Sequence, residues 1–317
     1  MFHALAAVLL TLIFGLPVLG LASLASALPD AAAARAAFLV LSPLLYALGF
    51  VLVAGIASRP FHRSIVPGSF ARDLATKAYR GRRYYGLCWT AVFYFTPIYW
   101  MFLTVPALKR LLFRLFGYRG TMNFVVYPDT WIRDLPLLEF GEGAYVANKA
   151  TLGTNVCLND GTILVDRIAL GRGTMVGHMS MLAPGVVMEE GSEVGVGVAL
   201  GMRVHLEAGV SVGGCCDIGH LTRMEAGSST GTSVDIGAGS RIGPKVHVPG
   251  GIFVPSRTRW KTIDELRAAL APRVATSLPA AAGPAAAPAP ATSAKPPERP
   301  EPEGATAGFR AHWQVFE

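Results

Sequence analysis

From Phe140 to Val254 an apolar residue returns at every sixth position, through Val146, Leu152, Leu158, Leu164, Leu170, Val176 and Leu182 to Ile236, Ile242 and Val248, with Thr230 as the one polar exception. Four residues after each of these stands Ala, Val, Thr, Ile, Ser or Cys, and Gly follows the apolar residue at about half of the sites. An α-helix turning every 3.6 residues cannot hold a period of six on one face, and period-two strands have no need of a small residue so regularly. The spacing predicts a parallel β-helix over 138–258, each hexad being a short strand and a turn. The apolar residue points into a narrow core, the small residue fits an inner corner, and Gly gives backbone freedom at the turn. Three hexads make a triangular coil of 18 residues, so twenty hexads give six to seven coils at a rise of about 4.8 Å each.

Stacking then sets neighbours. Residues 18 apart should lie one above another, which places Glu142, Asp160 and His178 in one column. A carboxylate about 4.8 Å below an imidazole could orient it as a general base. By the same rule Lys149 and Arg167 stack, with Arg203 two coils above Arg167, either to meet phosphates or as a solvated basic edge. Glu189, Glu207 and Glu225 form an acidic column, either a site for a cation or basic partner or, on the plainer reading, structural. His220 holds the same hexad position as His178 on the next face, with Met202 and Ala238 as column neighbours and nothing to orient it. His205 and His247 sit at sixth positions near corners and read as structural or solvated.

The hexads around Val176-Gly177-His178-Met179-Ser180-Met181 resemble the left-handed β-helix acyltransferases, also called hexapeptide-repeat transferases. The resemblance covers about Leu138 to Val254. It implies a mainly β fold, a left-handed parallel β-helix assembling as a homotrimer. It also implies an acyl-CoA or acyl-carrier-protein donor, no bound cofactor, and an active site between subunits with one essential histidine. His178 occupies the third hexad position, where several members carry that histidine. The Trp-x-Gly-x-Pro-Ala ending of many relatives is missing, and the period shows no inserted loop. A zinc site of three histidines, found in some prisms of this fold, would need a close pair; His178, His205 and His220 fall on different faces or coils, so no metal is expected.

The front of the chain has another character. Hydrophobic residues make up 52% of the protein and charged residues 15%, well below the roughly 25% of a soluble domain. Met1–Leu28 and Ala36–Ala57 are apolar runs long enough to cross a bilayer as helices, so 1–57 reads as two transmembrane helices. A signal peptide is the alternative for the first, given Ala25-Ser26-Ala27, but no Lys or Arg precedes it. Two such helices before a prism resemble the repeated unit at the carboxy-terminal end of membrane-bound peptide synthetases of the poly-lysine synthetase type. Relatives of that kind tend to carry Thr-His where this chain has Thr154-Asn155.

Between Arg59 and Arg119 stand eleven Lys or Arg and one acid, Asp73, out of a net charge of +7 for the whole chain. A basic belt beside apolar segments suits a membrane surface, and no aromatic-basic motif accompanies it to suggest nucleic acid. Within this juxtamembrane region, 58–137, the apolar segment 87–108 has basic flanks on both sides, which favours an interfacial or re-entrant element over a span. The β-helix is then expected on the cytoplasmic face. Four cysteines give no disulfide or zinc spacing. Thr262-Ile263-Asp264-Glu265 reads as a capping box opening a short capping helix over 259–273, and the Ala/Pro-rich tail 274–317 as disordered. Two functions fit: acyl transfer from a thioester to a hydroxyl or amine on a membrane-linked or small-molecule acceptor, or a non-catalytic scaffold at the membrane.

Overall fold

A computed structural model describes residues 2–29 and 31–276. The described residues fall into two units, divided between Lys261 and Thr262. The first begins with helices α1 (Phe2–Ser26) and α2 (Ala32–Ser58), both long and apolar enough to cross a membrane. Much of their apolar surface faces outward, with Leu39 70% and Val40 79% exposed. Two such side chains beside each other would be costly in water and are ordinary in lipid.

Next come the strand Gly68–Ala71 and helices α3 (Lys77–Phe93), α4 (Thr96–Thr104) and α5 (Pro106–Leu115). The axes of α3 and α4 differ by 82° across a two-residue break, where Pro97 supplies an N-terminal helix position that needs no donor. The aromatic residues of this stretch divide between two tasks. Tyr94 and Trp100 are exposed. Trp89, Tyr85 and Tyr99 are fully buried, and two of them tie α3 to the protein beneath it. The Trp89 indole donates to the Ile132 carbonyl at 2.7 Å, and the Tyr85 hydroxyl donates to Phe116 O at 2.9 Å while accepting from Leu135 N at 3.2 Å.

From Phe124 to Trp260 the chain winds as a parallel β-solenoid with three faces of seven strands each. The first face runs from Phe124–Val126 through Ala144–Val146, Met175–Val176, Glu193–Val194 and Ser211–Val212 to His247–Val248. The second runs from Trp131–Ile132 to Phe253–Val254, and the third from Leu138–Phe140 to Arg259–Trp260. The sixth-position residues point inward as expected: Val176, Leu200, Leu206, Ile218, Ile236 and Ile242 are all buried. Thr230 joins them, its hydroxyl accepting from Gly213 N at 3.0 Å.

Two features depart from the hexad reading. The solenoid begins at Phe124, not Leu138, because its first coil spaces Val126, Ile132 and Phe140 by six and then eight residues, with a 3-10 turn at Leu135–Leu137 taking up the excess. The coil is also interrupted. Asn155–Cys157 and Thr162–Val165 form an antiparallel hairpin that leaves the solenoid and pairs with Gly68–Ala71. Ile163 and Val165 are buried, while Leu158 is exposed at the tip. An inserted loop therefore exists, and Leu158 and Leu164 are not core positions of a coil. Above it, strands 18 apart pair; across it, Val176 pairs with Val146, thirty residues earlier.

In the second unit, α6 (Ile263–Thr276) starts after Thr262, whose Oγ1 accepts from Glu265 N at 3.3 Å, one of the two bonds of a capping box. Residues 277–317, most of the Ala/Pro-rich tail, lie outside the described residues.

Candidate functional site

His178 occupies the turn that follows the third strand of the first face. Its partner in the turn, Met179, takes φ +56°, the left-handed setting that lets the chain change direction. Ser180 braces the inside of the corner, donating from Oγ to Gly195 O at 2.7 Å and accepting from Val198 N at 3.1 Å. The imidazole is exposed and faces an open groove of about 520 Å³ along this edge.

The groove comes from missing side chains. Gly177, Gly195 and Gly213 follow the core residue on three successive coils. A Cβ at Gly177 would lie 2.3 Å from Gly195 O, and one at Gly213 would lie 2.2 Å from Gly231 O, so the coils approach backbone to backbone here. Tyr145, Met175, Glu193 and Ser211 form the other wall. Glu193 accepts from Ser211 Oγ at 2.7 Å. Met175, Met179 and Val196 leave an exposed apolar rim around His178. An imidazole beside an apolar trough and a carboxylate can take a proton from a nucleophile bound there.

The proposed partner of His178 is elsewhere. Asp160 sits in the hairpin, where its Oδ1 accepts from Thr162 N at 2.9 Å and from Thr162 Oγ1 at 2.6 Å. Those bonds hold its carboxyl below the usual aspartate range. The hairpin removes twelve residues from the coil, so Asn148, not Asp160, lies beneath His178. The Asp160–His178 dyad is not formed.

The basic residues are regrouped for the same reason. Lys149 does not stack with Arg167. It adjoins the His178 turn, one coil below, where Asn148 O accepts from Met179 N at 3.1 Å. Arg167 and Arg203 do share a corner, through Gly185 N to Arg167 O and Arg203 N to Pro184 O, both 2.9 Å. Arg167 pairs with Glu139 at 3.3 Å and Arg203 with Asp166 at 3.2 Å, and both arginines stay more than half exposed.

The acidic column resolves into a ladder on the third face. Glu189 meets His205 Nε2 at 2.6 Å, Glu207 meets Arg223 at 2.6 Å, and Glu225 pairs with Arg241. His205 is thus the histidine with an orienting carboxylate, contrary to the sequence expectation. His220 is also oriented, but its Nδ1 accepts from Met202 N at 2.8 Å. That bond fixes the neutral ring with its proton on Nε2, so the outward nitrogen cannot act as a base. His247 Nδ1 bonds Ser229 Oγ at 2.8 Å. Among the described residues no three His, Cys, Asp or Glu side chains come together as metal ligands.

One buried constellation had no counterpart in the sequence reading. Arg82 of α3 forms an ion pair with Asp134 at the first solenoid corner and donates to Asn155 Oδ1 at 3.1 Å. Thr154 Oγ1 donates to Asp134 Oδ2 at 2.6 Å. Burial works to raise the Asp134 pKa, but Arg82, Arg133 and the Thr154 bond together hold it below the usual range. Asn155 is therefore a structural ligand of Arg82.

No protein-family model matches the chain, and no curated protein sequence does. Solved structures do resemble it. A perosamine N-acetyltransferase mutant from Caulobacter crescentus, in complex with CoA and GDP-perosamine, is 20% identical over 46% of this chain and 58% of that one, with a TM-score of 0.26. The acetyltransferase domain of PglB from Neisseria gonorrhoeae, in complex with acetyl coenzyme A, is 21% identical over 48% of this chain and 62% of that chain, with a TM-score of 0.16. A UDP-N-acetylglucosamine acyltransferase from Campylobacter jejuni is 12% identical over 41% of this chain and 70% of that chain, with a TM-score of 0.15. The chain spans less than two thirds of the length of the first two of these structures.

Proposed function

We propose that this protein is a membrane-anchored acyltransferase that moves an acyl group from a thioester, acyl-CoA or acyl-carrier protein, to a hydroxyl or amine acceptor. The observation that carries this reading is His178 standing at the mouth of the glycine-floored groove on the first face. In the reaction, one imidazole nitrogen takes the proton of the acceptor O–H or N–H as that heteroatom attacks the thioester carbonyl. The tetrahedral oxyanion then collapses, the C–S bond breaks, and the departing thiolate recovers the proton from the imidazolium. The products are an ester or amide and a free thiol.

The N–H groups of His178 and Val196 donate to no backbone acceptor among the described residues, and they are the donors assigned to the oxyanion. Lys149 beside the turn, and Arg167 and Arg203 on the next corner, are assigned to the donor's phosphates. Helices α1 and α2 hold the solenoid at the membrane, on the cytoplasmic side, so the acceptor is lipid-linked or a small molecule. The working unit is a homotrimer, which would close the open side of the groove.

A second location for the base is favoured by the 2.6 Å contact between Glu189 and His205, a carboxylate-oriented imidazole on the third face. Full-length protein in nanodiscs, assayed for thiol release from a panel of acyl-CoAs, separates the two. The expected result is loss of turnover in His178→Ala and retention in His205→Ala. The reverse pattern moves the site to the third face, and no turnover by the wild type across the panel favours the scaffold.

A further inference from the structure

The polar atoms around His178 are incompletely satisfied, and two of them are complementary. Asn148 lies directly beneath His178, because Val146 pairs with Val176 and each polar residue follows two positions later. Its backbone carbonyl is used by Met179 N. Its side-chain Oδ1 is buried and has no hydrogen-bond partner. A buried carbonyl oxygen without a donor is costly, so a donor should be within reach.

The column offers one. Below Asn148, pairing of Val126 with Val146 places Pro128, which has no N–H to give. Above it stands the imidazole of His178, which makes no hydrogen bond among the described residues. Adjacent coils are about 4.8 Å apart at the backbone, a gap that a ring nitrogen and an amide oxygen close to hydrogen-bond length by side-chain rotation.

We propose that Asn148 is a positioning residue for His178: its Oδ1 accepts the Nδ1–H of the imidazole when the site is loaded. This fixes the neutral tautomer with a bare Nε2 and turns that nitrogen into the groove. It would do for His178 the opposite of what Met202 N does for His220, where the inner nitrogen is the acceptor. The inference rests on the assignment of His178 as the base and adds what holds the ring in its working tautomer.

The test is the tautomer itself, read from ring nitrogen chemical shifts in full-length protein labelled with nitrogen-15 histidine, His178 being assigned by its loss in His178→Ala. With acetyl-CoA added as the probe, the wild type should show His178 protonated on Nδ1. Asn148→Leu, of similar size but with no acceptor, should show it mainly protonated on Nε2, and Asn148→Asp should restore the Nδ1 form. In thiol release from acetyl-CoA, Asn148→Leu should lower kcat roughly tenfold with KM for acetyl-CoA held. Should Asn148→Leu misfold, Asn148→Asp and Asn148→Ser remain as the acceptor series. An unchanged tautomer in Asn148→Leu overturns the inference even if His178→Ala is inactive. A tautomer that follows Asn148 in a protein with no transferase activity leaves the contact standing and removes the catalytic reading.

Discussion

Arg82 on helix α3 and Asp134 at the first corner of the solenoid form a buried ion pair, 3% and 0% exposed, that joins α3 to the β-solenoid. It is surrounded by Thr154, Asn155 and Arg133 rather than by water. Removing one member of a buried pair leaves the other charge uncompensated, which typically costs about 3–5 kcal/mol. Arg82→Met should therefore lower the unfolding midpoint of the detergent-solubilised protein far more than Arg80→Met, whose guanidinium caps the Leu74 carbonyl near the surface. Equal losses would show that the pair is not what holds this junction.

The same residue predicts a pH dependence. Asp134 has a folded pKa held below its unfolded value. Its contribution is therefore complete above the ordinary aspartate value of about 3.9 and is lost as pH falls through the lower folded value. Thermal unfolding between pH 7 and pH 3 should show a loss of midpoint on the acid side that Asp134→Asn makes smaller, from a lower starting point.

The groove depends on a glycine floor. Gly177→Ala places a methyl group against the Gly195 carbonyl, an overpacking that neither backbone can evade cheaply, with an expected cost of about 1–3 kcal/mol. Gly173→Ala is a useful contrast, since its Cβ meets nothing within 4 Å and the cost comes only from φ +64°. Denaturation midpoints and KM for acetyl-CoA separate the two effects: only Gly177→Ala should raise KM.

Asp160 lies on the hairpin tip, bonded to Thr162, and should be dispensable to catalysis. Asp160→Ala should keep kcat within about twofold of wild type. A collapse of turnover comparable to His178→Ala would mean that the hairpin closes over the first face during reaction.

Much of the solenoid was written in the sequence because each coil repeats a local rule: an inward apolar residue, a small corner residue, and a close backbone approach where Gly177 or Gly195 stands. The hairpin was hidden by arithmetic. Its excursion removes twelve residues from the coil, two whole hexads, so Leu158, Leu164 and the small residues Val156 and Thr162 keep the period in phase while leaving the column. The mistaken Asp160–His178 contact follows from that alone. The first coil was missed because eight residues separate Ile132 from Phe140. The Arg82–Asp134 and Glu189–His205 contacts depend on pairings between distant or differently phased positions, which periodicity does not encode. Trp89 belongs to the segment 87–108, whose composition suits a membrane surface, whereas its N–H is committed to Ile132 O.

Membrane orientation has its own check. Cys215 is exposed on the solenoid, while Cys88 and Cys216 are buried. A membrane-impermeant maleimide should leave Cys215 unlabelled in intact cells and label it once the membrane is opened. Labelling of intact cells would place the solenoid outside.

His178 is proposed as the base for acyl transfer from a thioester to an acceptor at the membrane. Membrane vesicles carrying the full-length protein, supplied with acetyl-CoA labelled in the acetyl group, should accumulate label in the organic-extractable or small-molecule acceptor fraction. That transfer should disappear in His178→Ala with the solenoid still folded. Equal transfer by wild type and His178→Ala would contradict the account.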